Sequence, residues 1–472
     1  MKLRVVAALA ISALLATACA AEGADEAVTG NTESTVAPSE GTDTPDAGGA
    51  GRFGDIESPC GPGEATVAEA DAGLGTDKLY LGVANNREGF KPGLLKELWD
   101  SSTAFVQWCN AQGGIAGIPL EAVDLGVDVM AVEDGMAEAC TDVFAMVGGG
   151  YAMDNLMFSG KPGSDFHECG LIAFPGFAVS TDFSEATDQV QAIPNPAHLK
   201  AYGSYVQLAD VYPDLIGDFG VAFGDLASIE QNKDQVVGQA KLVEGFGNFS
   251  TVRYAVVNAD YSVTAQQVIQ AGIKLLSFVG EPVSYAGLSQ ALNDQGWEGV
   301  TTADANQYDS RLITAQGPEA VEGAVIRLAA HPFEEEDKWP ATKQLVEILD
   351  EYSPDWEHAG LTIQSFSANL LFATAANECA KKNGEITRVC VLQEGKAIKS
   401  WTGGGLHAEA NPGDNEPSGC SVLVTIKDGK FERLHPEIGS EMDSEDGFYC
   451  DELVTLEGNF GAGATSRSIL DN

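Results

Sequence analysis

The run from Ala104 to Gly150, AFVQWCNAQGGIAGIPLEAVDLGVDVMAVEDGMAEACTDVFAMVGGG, limits the possible folds more than any other part of the chain. Apolar residues recur at helical spacing up to Asn110, and the turn Gly113-Gly114-Ile115-Ala116-Gly117 ends them. Pro119–Leu125 then reads as a short strand. A second helix precedes the apolar run Val143–Val147, which stops on Gly148, Gly149 and Gly150. Helix and strand alternating at this interval make one unit of a parallel sheet, with a glycine-rich mouth at the carboxyl end of a strand. Mouths of that kind bind small molecules.

The alternation continues on both sides. Leu79–Val83 reads as a strand, Lys91–Asn110 as a helix and Leu171–Phe174 as a further strand. The segment Ile193-Pro194-Asn195-Pro196 interrupts the pattern and marks a crossing to a second lobe. A helix near Ala197–Ala209 is expected there, then strands at Asp218–Phe223, Arg253–Val257, Leu275–Val279 and Gly299–Ala303 with helices between them. Ala324–Ala330 leads to His331-Pro332, a second crossing, and the helices Ala341–Tyr352 and Thr362–Cys379 return to the first lobe. Trp401–His407 and Cys420–Ile426, with the turn Lys427-Asp428-Gly429-Lys430, read as a late hairpin-like element. The expected class is α/β, with two doubly wound parallel-sheet lobes joined by hinge crossovers. Residues 60–196 and 329–400 form the first lobe, 197–328 and 401–450 the second, and 451–472 a polar tail.

The amino terminus places the protein outside the cytoplasm. Met1–Ala18 carries Lys2 and Arg4, the apolar run Val5–Leu15 and the small residues Ala16-Thr17-Ala18, the pattern of a secretory signal. Cys19 follows directly and resembles the lipidated cysteine of bacterial lipoproteins, although Ala16 stands where leucine is usual. Residues 19–59 hold few large apolar side chains and read as a disordered, acidic, lipid-anchored linker. The expectation is an exported chain anchored to the outer face of the cytoplasmic membrane. About 410 residues follow the linker, a length that suits two lobes.

A net charge of −44 argues against nucleic acid as a partner, because phosphate binding needs clustered Lys and Arg. Of nine cysteines, Cys19 is assigned to lipid, which leaves an even eight in an exported chain and four expected disulfides. Cys109, Cys140 and Cys169 should lie at the amino-terminal edge of one sheet, with the first helix on the face opposite the next two. Cys60–Cys109 with Cys140–Cys169 is the first choice, and Cys60–Cys169 with Cys109–Cys140 the second. Cys379–Cys390 and Cys420–Cys450 follow from proximity. No Cys-x-x-Cys occurs and the histidines are scattered, so no metal is expected.

Asn110-x-x-Gly113-Gly114-Ile115-x-Gly117-x-x-Leu120-Glu121 resembles the leucine/isoleucine/valine-binding family of ABC-transporter solute-binding proteins. The resemblance covers roughly Leu79 to Phe431. Trp401–His407, with Cys379 and Cys390 ahead of it, is similar to the actinobacterial branch. The resemblance implies a type I periplasmic-binding clamshell that takes a small polar solute, an amino acid or amide, between its lobes. It also implies ABC permease subunits as membrane partners, a monomer and no cofactor. A ligand-sensing receptor without a permease is the alternative, since the same lobes serve both.

The implied ligand residues come from loops at strand ends. In the first lobe they are Gly149, Gly150, Tyr151 and Ala152, then Phe177 and Ser180, with Ser180 alternatively capping a helix. The second lobe offers Ser228 and Ile229, Glu281, and Asp304, Asn306 and Tyr308. In amino-acid-binding relatives an acid after a second-lobe strand holds the ligand ammonium, and Asp304 matches that place best, with Glu281 second. Helix capping is the alternative for Asp304 and Asn306, and hinge packing for Tyr308. The chain departs from such relatives at Gly150, Tyr151, Ala152 and Ile229. It contains no Gly-x-Ser-x-Gly elbow, no His-Glu-x-x-His and no phosphate loop, so an enzyme is not expected.

Overall fold

The computed structural model describes residues 51–89, 91–155, 169–444, 446–461, 463 and 468–471. The expected signal, Cys19 and most of the linker lie outside the described residues.

The first lobe is built on four parallel strands in the order Leu120–Gly126, Leu79–Asn85, Ala145–Val147, Ala173–Phe174. Period-two alternation splits their side chains between two cores. Ala145 and Val147 join Phe105, Trp108 and Phe366, from the helices Lys96–Ala111 and Gly360–Asn383. Met146 joins Val132, Met136 and Ala139 of the helix Val132–Asp142 on the other side. The sheet is therefore wound on both faces. The disulfides are Cys60–Cys109, Cys140–Cys169, Cys379–Cys390 and Cys420–Cys450.

In the second lobe, Val325–Leu328, Val300–Ala303, Leu275–Val279, Phe219–Gly224 and Asn248–Tyr254 run parallel, in that spatial order. Cys420–Lys427 adds antiparallel to Val325–Leu328, and Lys430–His435 pairs with it as a hairpin at the sheet's edge.

Several expectations are corrected. Residues 51–59 are not loose linker: Phe53 is fully buried against Trp108 and Phe366, so the packed body begins before Cys60. Trp401–His407 is no strand, because Gly403, Gly404 and Gly405 all have positive φ and turn the chain. Trp401 and His407 bond Ser367 of the helix Gly360–Asn383, so this loop packs on the first lobe instead of completing the second. A helix, Arg388–Ala397, went unexpected. The helix expected at Ala197–Ala209 is a strand, Leu199–Ala201, followed by a helix over Gly203–Val211. Residues 451–472 are not merely a polar tail. Leu453–Thr455 pairs antiparallel with Leu199–Ala201, Leu456 and Phe460 bury against Ala197, and Ser468 bonds Asp188.

Cys60–Cys109 ties the segment around Phe53 to the first helix across a sequence separation of 49. Replacing both cysteines by serine should lower the unfolding free energy by about 4 kcal/mol, the loop-closure entropy of a ring that long. Urea unfolding of the two proteins measures it.

Candidate functional site

Three crossings join the lobes: around Asn195, around His331, and between Asn411 and Cys420. A cavity of about 250 Å³ lies between the lobes and extends into the second one. Its inner wall follows from strand periodicity. One face of the second-lobe sheet carries Leu275, Val300 and Val325 at the strand starts, packed with Phe219 and Tyr205. Two residues further along the same strands come Ser277, Thr302 and Arg327, which line the cavity. The helices Gly203–Val211 and Ala227–Ala240 contribute Tyr205, Leu208, Ile229, Gln235 and Val236 opposite them. The sheet face is thus apolar where it is filled and mixed where it is open.

The expected ligand residues divide. Ala152, Phe177, Ile229, Glu281, Asp304 and Asn306 line the cavity. Gly149 and Gly150 are away from it, and their lack of a side chain serves packing. A Cβ on Gly149 would stand 2.2 Å from the Ala84 nitrogen, and one on Gly150 2.5 Å from the Phe177 oxygen. The backbone N–H of Gly150 donates to Ala84, so it is not offered to a ligand. Tyr151 is fully buried in the first-lobe core, with its hydroxyl on the Leu125 carbonyl. Ser180 caps the turn Thr181–Ser184, and Tyr308 is fully buried against Phe333 and Phe431. Ser228 lies off the wall and donates across the cleft to the Ala152 carbonyl at 2.7 Å. Glu281 caps the helix Pro282–Asp294, and Asp304 caps the turn Ala305–Gln307 while still facing the cavity.

Other contacts also cross the cleft. Lys91 pairs with Glu281 at 3.0 Å and Arg311 with Glu97 at 2.9 Å. Thr181 donates to Gln231 at 3.1 Å. Glu97 is buried, which pushes its carboxyl up to about 7 against the pull of Arg311, a guanidinium it shares with Asp309. The lobes are closed on one another.

Sequence reasoning missed Lys200 and Arg327. Seven charged side chains line the cavity: Lys91, Glu97, Lys200, Glu281, Asp304, Arg311 and Arg327. Six form the pairs Lys91–Glu281, Arg311–Glu97 and Arg327–Asp304, the last at 3.2 Å. Lys200 remains. It is 8% exposed, and its ammonium donates to the neutral Asn195 Oδ1 at 2.5 Å, with no carboxylate within 4 Å among the described residues. Burial pulls its pKa down to about 8, with Asp304 and Glu185 acting the other way and Arg327 adding to the fall. Lys200 sits at the centre of Leu199–Ala201, opposite Val454, so the carboxy-terminal strap holds it in place.

A lysine whose folded pKa lies below its free value of 10.5 destabilises the fold below pH 8, and that cost disappears as pH rises from 8 to 10.5. Lys200→Met, which keeps the stem and removes the charge, should therefore stabilise the ligand-free protein by about 2–3 kcal/mol at pH 7. The advantage should shrink toward zero near pH 10.5. Denaturant unfolding at both pH values reads this, and a destabilised variant at pH 7 would mean that the fold needs the cation.

The sequence model described as periplasmic binding protein matches residues 216–430. No curated protein matches the chain. Among solved structures, a fatty acid ABC transporter substrate-binding protein from Thermomonospora curvata is 17% identical, with a TM-score of 0.64 over 82% of this chain and 96% of its own. A leucine-binding protein from Thermotoga maritima is 15% identical, with a TM-score of 0.60 over 76% of this chain and 98% of its own. A solute-binding protein from R. palustris in complex with 4-hydroxybenzoate is 14% identical, with a TM-score of 0.60 over 76% and 96%. At these identities the shared property is the architecture. The chain has the two-lobed α/β fold of the type I periplasmic binding proteins.

Proposed function

We propose that this chain is an extracytoplasmic binding protein that closes its two lobes on a small organic solute and presents it to an ABC permease. The observation that carries the reading is the cavity between the lobes, lined by side chains from both and bridged by Lys91–Glu281 and Arg311–Glu97. A solute there touches both lobes only when they are closed, and such differential contact is what shifts an open–closed equilibrium. No bond is made or broken. The names of the similar structures support the reading, since they cover a fatty acid, leucine and 4-hydroxybenzoate, all organic acids. Among the described residues no helix is long and apolar enough to cross a membrane. The membrane connection in this proposal is therefore the lipid on Cys19, with the segment after it as a tether to the permease.

The amine anchor is not kept. Asp304 faces Arg327, and a ligand ammonium would have to displace that guanidinium.

The test is thermal unfolding of the full chain against amino acids, amides and organic acids. A solute that binds only the folded state adds about 2.7 kcal/mol at 100 times its dissociation constant. One chemical class should give a saturable rise in midpoint, together with a smaller radius of gyration by X-ray scattering. A folded protein indifferent to every class would sink the proposal. In cells, Cys19→Ser should abolish palmitate labelling and release the protein from the membrane fraction.

A further inference from the structure

The cavity wall carries one more cation than its internal pairing uses. We propose that the solute is a carboxylic acid on an extended apolar body, with its carboxylate between Lys200 and Arg327 and its body in the second-lobe pocket between the sheet and the helices Gly203–Val211 and Ala227–Ala240. The inference rests on the solute-binding reading above and names the class of solute.

Charge balance is the first argument. In a protein with a net charge of −44, carboxylates are the cheapest way to neutralise a buried ammonium, yet Lys200 has only an amide oxygen on it. A buried cation is costly to desolvate, and an incoming anion offsets that cost. Arg327 uses Nη1 on Asp304, whose side chain is 67% exposed, and so keeps further N–H groups to share. Lys200, Tyr205, Asp304 and Arg327 all line this cavity, and the charges of Asp304 and Arg327 both act on the Lys200 ammonium.

Wall chemistry is the second. Beyond the cations the pocket is bounded by Tyr205, Leu208, Val236 and Leu423, a surface that rewards buried hydrocarbon. An α-amino acid would bring its own ammonium next to Lys200 and Arg327. The first-lobe glycines cannot compensate, because the N–H of Gly148 and that of Gly150 are bonded to Phe174 and Ala84.

Calorimetric titration of the full chain at pH 7 with butyrate, octanoate, decanoate, 1-decanol and L-isoleucine tests the class. Decanoate should bind saturably, with affinity rising about threefold to fourfold per methylene from butyrate. Decanol should bind at least tenfold more weakly than decanoate. Lys200→Met should lose tenfold or more for decanoate and leave decanol unchanged, so decanol binding reports that the variant pocket is intact. Decanoate affinity of the parent should also fall above pH 8, as Lys200 loses its proton beside Asp304, Glu185, Arg327 and Tyr205. Saturable binding of L-isoleucine without decanoate overturns the class and leaves solute capture standing. Equal binding of decanoate and decanol, or an unchanged Lys200→Met, overturns the carboxylate site. A folded chain that binds none of these and nothing in the wider panel overturns both readings.

Discussion

The antiparallel pairing of Leu199–Ala201 with Leu453–Thr455 is the contact on which the cleft depends. The first crossing between the lobes would otherwise be a proline-rich strand-like segment with nothing on one side. The strap gives it a partner, and Leu456 and Phe460 close over Ala197 beneath it. Gln239 of the helix Ala227–Ala240 donates to the Ala201 carbonyl, which ties the same segment to the second lobe. Ser468 and the Ile469 N–H hold Asp188 in the first lobe. The carboxy-terminal segment is thus fastened to the crossing and to the first lobe, and the crossing in turn to the second.

Charge is distributed against the average of the chain. The net charge of −44 says nothing about the interior. Inside the cleft the charges pair off, and the remaining one is positive. Buried charges without a charged partner are selected against unless something else uses them, because their removal costs the fold nothing or improves it. Lys200 has that signature, whereas Arg433, paired with Glu335 by two hydrogen bonds, has the signature of a structural cation.

The fold was largely legible because its signal is periodic. Ala145, Met146 and Val147 alternate between two cores as a buried parallel strand must, and the glycines after them mark the strand's carboxyl end. Their role was not legible, since close backbone packing and ligand approach both ask for glycine; only the neighbours Ala84 and Phe177 distinguish the two. Lys200 was hidden by a local misreading. Within a helix over Ala197–Ala209 it would be a solvated charge on a polar face, but as the middle residue of a three-residue strand it points inward. The strand exists only because residues some 250 positions later pair with it, and no local pattern encodes that. Arg327 carries a periodicity signal, standing two residues after Val325 on the same face of the strand Val325–Leu328.

The cross-cleft contacts are too weak to close the lobes by themselves. Lys91–Glu281 is partly solvated, and pairs of that kind contribute about 0–1 kcal/mol. Arg311–Glu97 is better buried, but Glu97 resists ionisation and Asp309 already holds the same guanidinium, so the net gain is small. Ser228 to Ala152 adds one neutral hydrogen bond, about 1 kcal/mol. Against these stands the cost of burying Lys200 with only a neutral amide oxygen on its ammonium. The closed form is therefore poised, with a few favourable contacts set against one uncompensated charge. A solute that cancels that charge removes an unfavourable contribution, so its binding shifts the equilibrium more than a neutral solute with the same contact area.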